Sequence, residues 1–264
     1  MPLKVNLKKL RECWDNLAPE YDYKNSPKWF WANPEKWANE IKRRIRGFST
    51  VLDVGCGAGA LAIPLSKEFD VVALDFSKKM LFQLKQRKEE FGTDVEIVCA
   101  DAHNIPFKDG SFDVVLCRFA LWPLPEPRKA IEEMVRVARN KIIIVEGDWH
   151  KSKVTLRHKI IGKLLFKIHF LIYRIRTGRN PTKHFEEMKK YHKSETSMER
   201  IKEWFEQCGV KIREVDYSVK ERVSTRRFKV LRFITGYEEK FFVLVCEKVL
   251  GSKERKAGVA TGAQ

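Results

Sequence analysis

The chain contains no run of about eighteen uncharged apolar residues, so no membrane-spanning helix is expected. It contains no Cys-x-x-Cys pair. Its six cysteines, at 13, 56, 99, 117, 208 and 246, are scattered through 264 residues. That pattern argues against a zinc ribbon or a disulfide framework and for reduced, mostly buried thiols. Five of the six histidines (150, 158, 169, 184 and 192) lie between 150 and 193, and no two repeat at i, i+4, so no metal site is expected. There is no internal repeat, and Met1-Pro2-Leu3-Lys4 opens without the apolar core of a secretory signal. A cytoplasmic protein is the expectation.

Charge of one sign is abundant, and it is unevenly spread. The formal net charge is +17. Residues 48–149 carry 13 basic and 16 acidic groups, whereas residues 150–193 carry 13 basic and 2 acidic. The first 47 residues contribute +5 and residues 194–264 contribute +4. The positive charge therefore belongs to the surround of a mildly acidic core. Such a surround suits an anionic substrate, nucleic acid or a membrane surface, or is a solvated face with no partner.

The most informative stretch is Val51-Leu52-Asp53-Val54-Gly55-Cys56-Gly57-Ala58-Gly59-Ala60. It begins as a short buried strand and breaks at Gly55. Glycines at every second position then allow a tight turn and close approach to a ligand. A helix is predicted from Leu61 to Phe69, its N-terminus favouring a carboxylate or phosphate. Val71 to Leu74 reads as a second buried strand ending in Asp75, an acid able to hold the two hydroxyls of an adenosine ribose. Gly55-x-Gly57-x-x-Ala60 also satisfies the dinucleotide fingerprint, so an NAD-linked dehydrogenase competes. Asp53 opposes that reading. A carboxylate at the mouth of the first strand repels a pyrophosphate and attracts an ammonium group.

Asp-x-Gly-x-Gly-x-Gly followed by a later acid resembles the class I S-adenosylmethionine (SAM) methyltransferases, and more narrowly the type 11, ubiquinone/menaquinone-biosynthesis-like domain. Trp14 through Asp22 resembles that family's entry segment, F-x-x-x-A-x-x-Y-D, and residues 101–113 resemble its D-A-x-x-L-P-F-x-D-x-S-F-D pattern. The likeness covers roughly residues 14 to 147. It implies SAM as cofactor, with Asp53, Gly55, Gly57, Gly59 and Asp75 around it and Phe76 at the adenine edge. Asp101-Ala102 would be the adenine contact. Tyr21 either touches the cofactor or packs the entry segment with Trp14. Arg118 stands where the family contacts SAM, and either binds substrate charge or pairs with a lid carboxylate. Relatives often carry histidine pairs where this chain has Leu121-Trp122. No histidine base is available there, and Trp122 offers an aromatic wall instead. Trp14 and Trp122 are the candidate substrate-binding residues. Neither Asn/Asp-Pro-Pro-Tyr/Phe nor a Pro-Cys nucleophile occurs, which sets aside planar-amine and C5-pyrimidine methylation.

Periodicity completes the outline. Residues 1–47 read as a helical lid with Leu10, Trp14 and Leu17 on one face. The core would occupy 48–149. Its helices run Lys78–Phe91, capped by Ser77 and stopped by Gly92, and Glu126–Val137. Its later strands are Val95–Ala100, Val114–Cys117 and Lys141–Val145, with Asp113 structural. After the fifth strand, Glu146, Asp148 and His150 are the candidate general bases, although termini-capping explains them as well. Residues 150–193 read as a basic helical cap, with a helix from Leu156 to Ile175. Its stripe of Leu156, Ile160, Leu164, Ile168 and Ile172 fits a lid over a substrate cavity or a membrane-interface helix. Residues 194–249 complete the core with a helix after Ser197 and two antiparallel strands, Val210–Val219 and Phe241–Glu247. Residues 250–264 read as a disordered tail.

The expected fold is α/β: a Rossmann-like, seven-stranded, mostly parallel sheet with helices on both faces and a helical cap. The expected function is methyl transfer from SAM to a small-molecule or lipid-like acceptor. RNA methylation through the basic surround and non-catalytic SAM binding remain alternatives, and peripheral membrane contact is compatible with each.

Overall fold

In a computed structural model, the described residues are 7–21, 33–147, 153–154, 156, 158–178, 196–224, 229, 237–238 and 241–248. Helix α1 (Leu7–Leu17) ends in a 3-10 turn at Ala18–Tyr21, and α2 spans Pro34–Arg44. The central alternation is β1 (Thr50–Val54), α3 (Ala62–Leu65), β2 (Asp70–Asp75), α4 (Lys78–Phe91), β3 (Val95–Cys99), β4 (Phe112–Arg118), α5 (Pro127–Val137) and β5 (Ala138–Gly147). Then come β6 (Lys153–Val154), a π-turn at His158–Gly162, α6 (Lys163–Thr177), α7 (Met198–Gln207), β7 (Val210–Asp216), α8 (Val219–Val223), β8 (Tyr237–Glu238) and β9 (Phe241–Lys248).

Seven strands form one sheet in the order β3-β2-β1-β4-β5-β9-β7, and β6 pairs separately with β8. β1 to β5 are parallel, and β9 is antiparallel to both β5 and β7. The order reverses at β1, so the carboxyl ends of β1 and β4 flank the crevice where open α/β sheets bind ligands. This is the Rossmann-like α/β fold the alternation predicts.

Strand periodicity builds the two sides of the core. Val51, Val71, Val114, Leu116, Ile143 and Val145 face α2, α3, α4 and α8. Leu52, Val54, Val115, Cys117, Ile142 and Ile144 face α5 and α7. Successive side chains point to opposite faces, and nearly all are apolar because both faces are covered. Within the segment read as a lid, α2 is a layer of this core: Trp37, Ala38 and Ile41 are fully buried. α1 docks elsewhere, through Cys13, Leu17 and Ala18 against Met80 of α4.

Several boundaries differ from expectation. The helix after the glycine turn stops at Leu65, because the Ser66 hydroxyl donates to the Ile63 carbonyl (2.9 Å) and competes with a further turn. Four residues carry a smaller dipole than the predicted length implied. β7 ends at Asp216, whose carboxylate accepts from the Ser218 N–H (2.8 Å) and starts a turn into α8. The apolar stripe, read as a lid over a substrate cavity or as a membrane-interface helix, is exposed at Leu156, Ile160, Leu164, Ile168 and Ile172, and both sheet faces are filled by other helices. Asp113 is structural, accepting from the Ser49 and Thr50 N–H groups and the Thr50 hydroxyl, each at 3.1 Å.

One ion network closes the sheet's far edge. Glu40 on α2 pairs with Arg43, Arg44 (3.0 Å) and Arg222 (2.9 Å). Arg44 also reaches Glu214 (2.5 Å) and Asp216 (2.6 Å). Glu40 is buried, so removing it takes a carboxylate partner from three guanidinium groups. Glu40→Ala is expected to lower unfolding stability by about 2–4 kcal/mol with an unchanged denaturant slope in urea melts.

Candidate functional site

The carboxyl ends of β1, β2 and β4 converge on the glycine turn. Gly55, Gly57 and Gly59 have φ of 71°, 55° and 77°, the left-handed region that side chains disfavour. Two of them are also sterically required. A Cβ on Gly55 would stand 2.3 Å from the Ala120 Cβ, and one on Gly59 would stand 2.2 Å from a Leu84 methyl. Nothing lies within 4 Å of the corresponding point on Gly57, so the turn presents open backbone there.

Asp75 holds this turn to the next helix. One carboxylate oxygen accepts from the Gly57 N–H and the other from the Ser77 N–H, both at 2.9 Å. Ser77 caps α4 by accepting from Met80 N–H (3.2 Å), and its hydroxyl donates to Asp15 of α1 (2.6 Å). Asp15 accepts from Lys79 N–H as well (3.1 Å), so one carboxylate fastens α1 over the site. The sequence reading missed Asp15. An exposed-looking acid facing a helix start was the available signal.

Three carboxylates here are buried: Asp53, Asp75 and Glu146. Burial pushes Asp53 up to about 7, against the favourable field of Arg118. It pushes Asp75 up to about 6 against its backbone hydrogen bonds. Glu146 rises to about 7 for the same reason. The Arg118 guanidinium stacks over Trp37 (5.8 Å) and Phe119 (5.4 Å) within reach of the Asp53 and Tyr21 fields. Its field favours the ionised form of Asp53. Phe119 itself sits at φ 55° with its N–H on the Val145 carbonyl (2.8 Å), a strained corner that turns the chain so Ala120 can meet Gly55.

Of the candidate bases, Glu146 is occupied: its oxygens accept from the Trp122 N–H (3.2 Å) and Gly147 N–H (2.9 Å). It holds the turn carrying Trp122. Asp148 and His150 lie outside the described residues. Trp14 forms edge-to-face pairs with Tyr21 and Trp122, both at 6.3 Å, and Tyr21 packs against Ala58 and Ala60 of the glycine turn. Burial raises the Tyr21 phenol, so it stays a neutral hydroxyl. Asp101, expected as the adenine contact, accepts at one oxygen from the His103 N–H (3.0 Å), and the same oxygen lies 2.6 Å from Nδ1. Burial raises Asp101, but these bonds outweigh it and hold the carboxyl below its ordinary value. His103, buried and two residues on, was the histidine the sequence reading left unused; the Asp-x-His spacing of an Asx turn was its signal. Phe76 and Ala102 are half-buried.

Comparison with known proteins agrees with this geometry. A family model described as a methyltransferase domain matches residues 52–145. A demethylmenaquinone methyltransferase from Renibacterium salmoninarum is 35% identical over 138 residues, which is 50% of this chain and 56% of that enzyme. The chain thus spans about half the length of that relative. Another, from Staphylococcus haemolyticus, is 30% identical over 76% of this chain and 86% of the relative. The chain belongs to the class I SAM-dependent methyltransferases. A SAM-dependent methyltransferase from Aquifex aeolicus, 20% identical, shares the fold over 93% of this chain and 100% of that one (TM-score 0.53).

The cofactor of this family is SAM, and the residues present fit it. The two Asp75 oxygens carry four lone pairs against backbone bonds from Gly57, Phe76 and Ser77, which leaves an acceptor for a hydroxyl, and Gly57 leaves room beside it. The raised carboxylates give this fit a sign. Asp53 and Asp75 titrate above the ordinary range, so their ionised forms become available only as pH rises through about 6 to 7. A cationic ligand favours those forms. SAM affinity is expected to strengthen about tenfold from pH 5 to pH 8, with protons released on binding below pH 7, as calorimetry in buffers of different ionisation enthalpy will read. Flat affinity with no proton release would contradict the assignment.

Proposed function

We propose that this protein transfers the methyl group of SAM to a quinone-type acceptor of the demethylmenaquinone kind. The observation carrying this reading is the aromatic wall of Trp14, Tyr21 and Trp122 beside the glycine turn, in a chain similar to demethylmenaquinone methyltransferases. A flat, uncharged ring stacks on such a wall at little cost, whereas a phosphate-rich strand gains nothing from it. The names of the relatives favour neither RNA methylation nor a non-catalytic role.

In this reading Asp75 takes the ribose hydroxyls and the open backbone of Gly57 lies along the cofactor. Asp53 attracts the ammonium group, and Gly55 and Gly59 set the turn. The second oxygen of Asp101 accepts from the adenine amine while His103 holds the first; Phe76 and Ala102 border the base. Tyr21 closes the site from above. The field of Arg118 favours the ionised form of Asp53 against its burial, and Glu146 holds the turn that carries Trp122. When bound, SAM supplies a methyl carbon activated by a neighbouring sulfonium charge. The chain's part is to align the acceptor behind that carbon and keep water out. The acceptor atom gains the methyl and gives up a proton. Asp148 and His150 are the candidates to receive it.

The direct test is incubation with methyl-labelled SAM, a short-chain demethylmenaquinone and, separately, total RNA. Label is expected in the quinone fraction; label in RNA alone, or none anywhere, would overturn the proposal. Trp122→Ala is expected to raise the acceptor KM about tenfold, the worth of one aromatic contact, and to leave the SAM Kd within about twofold. An unchanged KM would remove Trp122 from the acceptor site.

A further inference from the structure

We propose that α6 and the turn before it dock flat on an anionic phospholipid bilayer. The helix presents an unusual surface. Leu164, Leu165, Ile168, Leu171, Ile172 and Ile175 are all exposed, Ile175 to 75%. Leu156, Ile160 and Ile161 extend the exposed set through the turn. At about 100° per residue, the six helical positions fill one continuous arc of about 120°. Lys163, Lys167 and Arg174 fall along one edge of that arc, and Arg176 falls along the other. Residues 156–178 contain six Lys or Arg residues and no Asp or Glu, within a segment carrying 13 basic and 2 acidic groups.

A soluble surface rarely exposes so many contiguous aliphatic side chains. None of them belongs to either face of the core, whose clusters are filled by other helices. The charge pattern chooses the occupant. Cations flanking an apolar arc can extend their stems along it and place their charged heads among lipid phosphates. A second copy of this chain would bring the same positive charge to the same face and repel it. Among the described residues no helix is long and apolar enough to cross a membrane, so the contact lies in the interface plane. The whole-chain charge of +17 adds long-range attraction to an anionic surface.

The test uses the full chain with vesicles of phosphatidylcholine alone, and of phosphatidylcholine with about one third phosphatidylglycerol. Flotation is expected to show binding at least about tenfold stronger to the anionic vesicles. Two variants probe the two parts of the surface: Leu171→Glu with Ile175→Glu, and Lys163→Gln with Lys167→Gln and Arg174→Gln. Each is expected to reduce binding at least about tenfold, with melting temperature and SAM binding unchanged. If the apolar variant fails to fold, the charge variant decides alone, since its side chains are exposed. Binding that ignores both variants, or none to anionic vesicles, would overturn the proposal. So would a dimer that Leu171→Glu with Ile175→Glu splits while vesicle binding persists, or RNA binding lost in the charge variant without any vesicle binding. No methyl acceptor enters the assay, so its failure leaves the proposed reaction standing.

Discussion

The site depends on one carboxylate with two backbone bonds. Asp75 ends β2 and ties the Gly57 N–H to the Ser77 N–H, fixing the distance between the glycine turn and the start of α4. Burying that carboxylate is costly, and the two bonds offset only part of the cost. The remainder is stored as a raised proton affinity that a cationic, hydroxyl-bearing ligand relieves. Through Ser77 the same node reaches Asp15 and so positions α1, which brings Trp14 and Tyr21 over the turn. Sheet edge, glycine turn and covering helix are therefore one connected hydrogen-bonded unit.

Charge around this unit is arranged to favour a ligand that is itself cationic. Asp53, Asp75 and Glu146 are buried, and the guanidiniums near them are Arg118, desolvated and lying over two rings, and Arg87, which donates to the Ala58 carbonyl of the turn. A pyrophosphate would meet this excess of carboxylate unfavourably. The dipole of a four-residue α3 is too small to compensate it. Such preorganised fields act strongly where water is excluded, as they are behind the aromatic wall.

Much of this was legible in the residues. The strands β1 to β5, the Ser77 and Ser197 caps, the Gly92 stop and the antiparallel β7–β9 edge follow from short apolar runs and cap chemistry. These are local signals with a fixed period, so they survive packing. What escaped was non-local or hinged on one side chain. The Ser66 hydroxyl that shortens α3 and the Asp216 turn that ends β7 are single competing hydrogen bonds. Asp15, the Arg44–Arg222 network and the stacking of Arg118 on Trp37 join residues 62 to 182 positions apart, which no periodicity encodes. The α6 stripe was read correctly as amphipathic, but period alone does not say whether an apolar face meets a core or water.

The central claim is that the glycine turn and Asp75 are built for SAM and not for a dinucleotide. Calorimetric titration of the protein and of Asp75→Ala with SAM and with NAD tests it most directly. The account predicts SAM binding without NAD binding, and a loss of about 1–3 kcal/mol in the variant, roughly tenfold to a hundredfold in Kd. NAD binding at comparable strength, or SAM affinity indifferent to Asp75, would contradict it.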